Sequence, residues 1–144
     1  MAGKGNSWSN SLLALLFNGT TATGIAINAT TSALTVLWVS LHTADPGAAG
    51  SQTTSETTYG AYARVSTNRA TTGWTVTTAS VAPAAAITFA AATGTVTNTV
   101  SYFAIGTAST GAGELLYSGT VTPNIIVSSG VTPQLLTATT VTES

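Results

Sequence analysis

Residues 34–42, Leu-Thr-Val-Leu-Trp-Val-Ser-Leu-His, limit this chain more than any other segment. Leu37, Val39 and Leu41 alternate onto one face. Leu34, Val36 and Trp38 occupy the other, which turns polar at Ser40 and His42. Successive strand residues point to opposite faces, so a strand apolar on both is central or covered. Asp45-Pro46-Gly47 then sets a turn, proline fixing φ and glycine allowing φ above zero. The stretch from there to about Thr58 is small, polar and aperiodic, the pattern of a functional or mobile loop.

Further short strands follow at even spacing: Tyr62-Ala63-Arg64-Val65, Trp74-Thr75-Val76-Thr77 and Ile87-Thr88-Phe89. Thr99–Gly106 and Glu114–Val121 alternate on either side of a Thr-Ala-Ser-Thr-Gly-Ala-Gly turn, which predicts a hairpin. Val121-Thr122-Pro123-Asn124-Ile125-Ile126 resembles Val131-Thr132-Pro133-Gln134-Leu135-Leu136, and the two copies predict two strands around the Ser128-Ser129-Gly130 turn. Each proline lacks a ladder donor, so each belongs at a strand start or an edge. The expected fold is all-β, an antiparallel β-sandwich of jelly-roll type with one short N-terminal helix.

That helix is expected over residues 9–18, with Leu12, Leu15 and Leu16 on one face, Trp8 and Phe17 close to it, Ser9 or Asn10 as cap and Gly19 as stop. Residues 1–8 read as a flexible polar arm and residues 9–144 as a single domain. A helix of about ten residues is marginal alone and must dock, on its own domain or on a neighbour. The apolar core Leu12–Phe17 is shorter than the roughly 7–15 residues of a signal peptide. No apolar run reaches the roughly 18 residues of a membrane helix.

Charge then narrows function. Three basic and four acidic side chains make up 5% of 144 residues, whereas 44% are hydrophobic and mean hydropathy is +0.37. A typical domain is about 25% charged. Near-zero net charge promotes association, so much of the surface is expected to be covered by other protein. Three cations cannot neutralise the roughly 6–10 phosphates of a typical nucleic-acid site. A single histidine, His42, and no cysteine cannot build a transition-metal site. His42 with Asp45 could form a base and its orienter, but the expected reading is a strand-end histidine bonded to the following loop. Glu56, Glu114, Arg64 and Arg69 are expected to pair or to face water. The chain is therefore expected to be no enzyme, to use no cofactor and to bind neither nucleic acid nor membrane.

Several segments resemble, in order, a family of small virion proteins of tailed bacteriophages, often labelled tail-fibre proteins. The segments are Leu41-His42-Thr43-Ala44-Asp45-Pro46-Gly47, Tyr62-Ala63-Arg64-Val65, Tyr102-Phe103-Ala104-Ile105-Gly106, Gly113-Glu114-Leu115-Leu116-Tyr117-Ser118-Gly119 and Gly130-Val131-Thr132-Pro133. The chain departs at Ser101 and Ala104, where relatives often carry His and Gly. The resemblance implies a virion structural protein. Joined to the low charge, it leads to the expectation of a capsid decoration or cement protein on the exterior of the head, folded in the host cytoplasm. Such a protein would bridge subunits of the major capsid protein and contact copies of itself, as a dimer or trimer. The alternative is a tail or fibre component that could bind host glycans through Trp8, Trp38 or Trp74. Candidate assembly contacts are Trp8, Leu12, Leu16, Phe17, Asp45, Pro46 and Gly47.

Overall fold

A computed structural model describes residues 6–22 and 33–143. They form one helix, α1 (Asn6–Asn18), and nine strands: β1 (Val36–His42), β2 (Val65–Asn68), β3 (Trp74–Thr77), β4 (Ser80–Pro83), β5 (Ile87–Thr88), β6 (Asn98–Gly106), β7 (Leu115–Val127), β8 (Gln134–Leu135) and β9 (Val141–Thr142). The sheets run in the orders β2-β1-β6-β7, β3-β4-β9 and β5-β8. The registered pairs are antiparallel. The described residues are thus all-β with one short helix, in keeping with the sandwich class expected. It divides into two compact units, one of residues 1–36, 67–86 and 136–144 and one of residues 37–66 and 87–135.

In the first unit α1 packs on β3 and β4. It begins at Asn6, three residues before the predicted start, so Ser9 and Asn10 lie inside it rather than at its cap. Residues 6–8 of the expected arm are helical, and residues 1–5 lie outside the described residues. The buried face is Ser9, Leu13 and Phe17, spaced i, i+4, i+8. Leu12, Leu15 and Leu16, predicted to share the docking face, are half-buried beside it. The polar Ser9 hid the true stripe from an apolar count. Phe17 meets Trp74 edge-on at 4.9 Å. Gly19, at φ 65°, stops the helix in the left-handed conformation that a Cβ disfavours.

Arg69 completes that stop. Its guanidinium donates to the carbonyls of Leu16 and Leu15, the latter at 2.6 Å, and to Leu34 O at 3.3 Å. Its backbone N–H donates to Thr35 O at 2.9 Å. The last carbonyls of a helix have no partner within it and carry partial negative charge, so a cation there is favourable.

β3 and β4 are joined by Thr78-Ala79, with φ 42° and 60°. Two consecutive left-handed residues match the primed turn that suits hairpin twist, but neither is Gly or Asn. The turn is held from outside: Ala79 N–H donates to Asn10 Oδ1, and Glu143 N–H donates to Ala79 O at 2.8 Å.

The second unit holds the predicted hairpin. β6 and β7 pair from Asn98↔Val127 to Gly106↔Leu115. β1 sits between β2 and β6, and its Leu37, Val39 and Leu41 are at most 1% exposed. The two Val-Thr-Pro copies lie on either side of the Ser128-Ser129-Gly130 turn as expected, but their strands do not pair with each other. The first lies within β7 against β6, and only Gln134–Leu135 of the second is strand, paired to β5. The turn itself closes, Val131 N–H donating to Ser128 O at 2.9 Å. Pro123 lies on an edge strand and Pro133 just before a strand start, where a missing donor is tolerated.

Candidate assembly site

β1 carries Ser40 and His42 on one face, and both are 0% exposed. His42 Nδ1 lies 2.8 Å from Thr54 O, and Nε2 lies 2.8 Å from Ser40 Oγ. A carbonyl can only accept, so Nδ1 bears the proton and Nε2 accepts from the serine. Burial lowers the His42 pKa from its ordinary 6.5, ahead of the raising effects of the Thr54 bond and of Glu56 and the lowering effect of Arg64. The ring is held neutral and clamps the loop that follows β1. Its partners are Thr54 and Ser40 rather than Asp45, as expected of a strand-end histidine tied to its loop.

The loop expected to be functional or mobile is fastened along its length. His42 and Glu56 form an antiparallel bridge. Thr43 N–H donates to Ser55 O and Thr57 N–H to Leu41 O, each at 2.9 Å. Glu56 accepts from Tyr62 Oη at 2.8 Å and, through both carboxylate oxygens, from Arg64 Nε and Nη2 at 2.7 Å. Arg64 also donates to Ala108 O and Gly111 O at 2.9 and 2.8 Å. Burial pushes the Tyr62 hydroxyl far above its ordinary pKa. It remains protonated, donating to Glu56 while accepting from Leu41 N–H at 3.0 Å. Gln52, 0% exposed, accepts from Ala108 N–H at 2.9 Å and donates to Trp38 O at 3.2 Å. A Cβ at Gly106 would stand 2.2 Å from Gln52 Cδ and 2.4 Å from Glu114 O, so only glycine lets the sheet approach the loop there. Gln52 did not stand out in the sequence, and Gly106 did so only as the end of the aromatic strand.

This frame presents the Asp45 turn. Asp45 and Ala48 are exposed, Gly47 is half-buried and Pro46 is buried. Asp45 Oδ1 accepts from Gly47 N–H at 2.9 Å, an Asx turn. Asp45, Gly47 and Ala48 line an open groove of about 370 Å³ with Leu115, Leu116, Tyr117 and Ser118 of β7. Two segments far apart in sequence thus build one surface. Asp45 and Gly47 were among the expected contacts, whereas the β7 wall was read only as half of a hairpin. Pro46 supports the turn from within.

The remaining expected contacts fall elsewhere. Phe17 is 0% exposed, in the core of the first unit, and cannot meet a partner without unfolding it. Leu12 and Leu16 are half-buried. The Trp8 side chain lies outside the described residues. Trp74, an expected glycan platform, is 2% exposed against Phe17. Trp38 is half-buried on β1.

A family model described as podophage GP4 fiber I protein gp80 matches residues 3–142. No curated protein matches the chain.

Proposed function

The chain belongs to the podophage GP4 fiber I protein gp80 family, and from that premise we propose that it is a structural subunit of a fibre on a tailed-phage virion, acting by association and not by catalysis. The family description carries this reading, and it reverses the order of the two sequence expectations by putting the fibre ahead of capsid decoration. The chemistry of the site supports it. His42, Glu56, Arg64 and Gln52 are committed to one another, to Ser40 and to backbone, which leaves aliphatic side chains, Tyr117, Ser118 and a single carboxylate, Asp45, around the groove. Such a surface associates by shape and apolar burial, with little electrostatic steering. Each junction is weak, and many copies acting together give a durable assembly. Its partners are then copies of itself and neighbouring virion proteins.

Immunogold labelling of intact virions and counting of copies against the major capsid protein test this. Label on the fibres with few copies per virion is the expected result. Label over the head, at a copy number near that of the capsid subunit, would move the chain to the decoration reading. Absence from purified virions would sink both.

A further inference from the structure

Ala79 has its two backbone groups held by segments far apart in the chain. Its N–H donates to Asn10 Oδ1 on α1, and its carbonyl accepts from the Glu143 N–H, just beyond β9, at 2.8 Å. The elements concerned, α1, β3, β4 and β9, all belong to the first unit. Ala79 is buried and stands at φ 60°, beside Thr78 at φ 42°. A left-handed conformation is unfavourable for a residue with a Cβ and persists only where the surroundings over-determine it. The two bonds supply that determination. Peptide groups are planar, so φ and ψ of Ala79 alone set the angle between the peptide that carries its N–H and the one that carries its carbonyl. Asn10 fixes the first plane and Glu143 the second. With either bond gone, one plane is free to turn, and relaxation toward negative φ draws the remaining group off its partner.

We propose that Ala79 is a two-ended latch, through which the docking of α1 and the docking of β9 on the β3–β4 hairpin support each other. Each element also has a hold of its own. α1 packs on β3 and β4 and buries Leu13 and Phe17. β9 pairs with β4 through Ser80↔Thr142 and Val81↔Val141, with Val141 buried. Loosening one element therefore weakens the other without abolishing it. Coupling of this kind is reciprocal: what α1 contributes to β9 through the turn, β9 returns to α1. The latch belongs to the fold alone and stands whether or not the chain is a fibre subunit.

Hydrogen exchange of the full chain, read at single amides, tests this. Asn10→Ala is expected to lower the protection of the Glu143 amide about tenfold, and Val141→Ala to lower that of the Leu13 amide by a similar factor. Should one variant fail to fold, the other carries the test. Asn10→Asp keeps the accepting oxygen and is expected to leave the Glu143 amide protected. Ala79→Gly is the decisive background, because glycine holds a positive φ without help. In it both cross-effects are expected to vanish. Unchanged Glu143 protection in Asn10→Ala, unchanged Leu13 protection in Val141→Ala, or cross-effects of equal size in the Ala79→Gly background would overturn the proposal. The last result would show that α1 and β9 communicate through side-chain packing and not through the turn.

Discussion

Glu56 and Arg64 face each other as a bidentate pair, with both carboxylate oxygens 2.7 Å from guanidinium nitrogens. The side chains are 14% and 3% exposed. Glu56 returns the loop to the end of β1, and Arg64 ties the same carboxylate to the β6–β7 turn through Ala108 and Gly111. Removing one member leaves a buried charge uncompensated, at about 3–5 kcal/mol. Glu56→Gln is therefore expected to lower unfolding free energy by about 3 kcal/mol in urea titrations. Glu56→Leu with Arg64→Met is expected to cost less than Arg64 left alone. Equal losses in a double-mutant cycle would show that the pair does not hold the loop.

Arg69 acts on the helix as Arg64 acts on the loop. Arg69→Ala exposes the Leu15 and Leu16 carbonyls and removes a cation from a helix C-terminus, an expected loss of about 2 kcal/mol. Lysine, a point charge without the planar fork, is expected to recover only part. Helical circular dichroism alongside chemical denaturation checks both.

Phe17 separates folding from assembly. Phe17→Ala empties the site against Trp74 and is expected to cost about 3–5 kcal/mol, read by tryptophan fluorescence during unfolding. A stably folded variant with altered partner binding would contradict the core placement.

His42 gives the fold an acid limit. Its folded pKa is depressed, so between the folded and unfolded values the unfolded chain holds more protons. Stability is then full above about pH 6.5 and falls as pH drops below it, by at most about 1.4 kcal/mol per pH unit. Protonation makes Nε2 a donor and obliges Ser40 to turn its hydroxyl away, toward Ala104 O at 3.5 Å. His42→Gln is expected to flatten the slope of melting temperature over that window.

The Thr78-Ala79 turn can be improved. Each left-handed non-glycine residue costs about 1–2 kcal/mol, so Thr78→Asn with Ala79→Gly is expected to raise stability by about 1 kcal/mol. A drop in thermal melting would mean that the side chains at those positions contribute packing worth more than the relieved strain.

The elements legible in the sequence are those whose signals are local. β1 announced itself by apolar residues on both faces. The β6–β7 hairpin followed from alternation around a glycine-bearing turn. Gly19 marked the helix stop, and Pro123 and Pro133 lie where a missing N–H is harmless. The ordered motifs pointed to the phage family. The β3–β4 hairpin was hidden because its turn draws on Asn10 and Glu143, from opposite ends of the chain, instead of turn-forming residues. The helix face was misjudged because Ser9 occupies the buried stripe.

The sequence by itself determined the class of the protein: short antiparallel strands, a docking helix and few titratable groups. Strand period, turn chemistry and charge are properties of neighbouring residues and are read without a fold. Only the tertiary structure decided which residues the fold buries and which it leaves exposed. It buried Phe17, Trp74, His42 and Gln52, fastened the loop through Glu56 and Arg64, and set Asp45 in one groove with Leu115–Ser118 of β7. Those outcomes depend on contacts between segments far apart in the chain, and nothing local records which distant segment a side chain will meet.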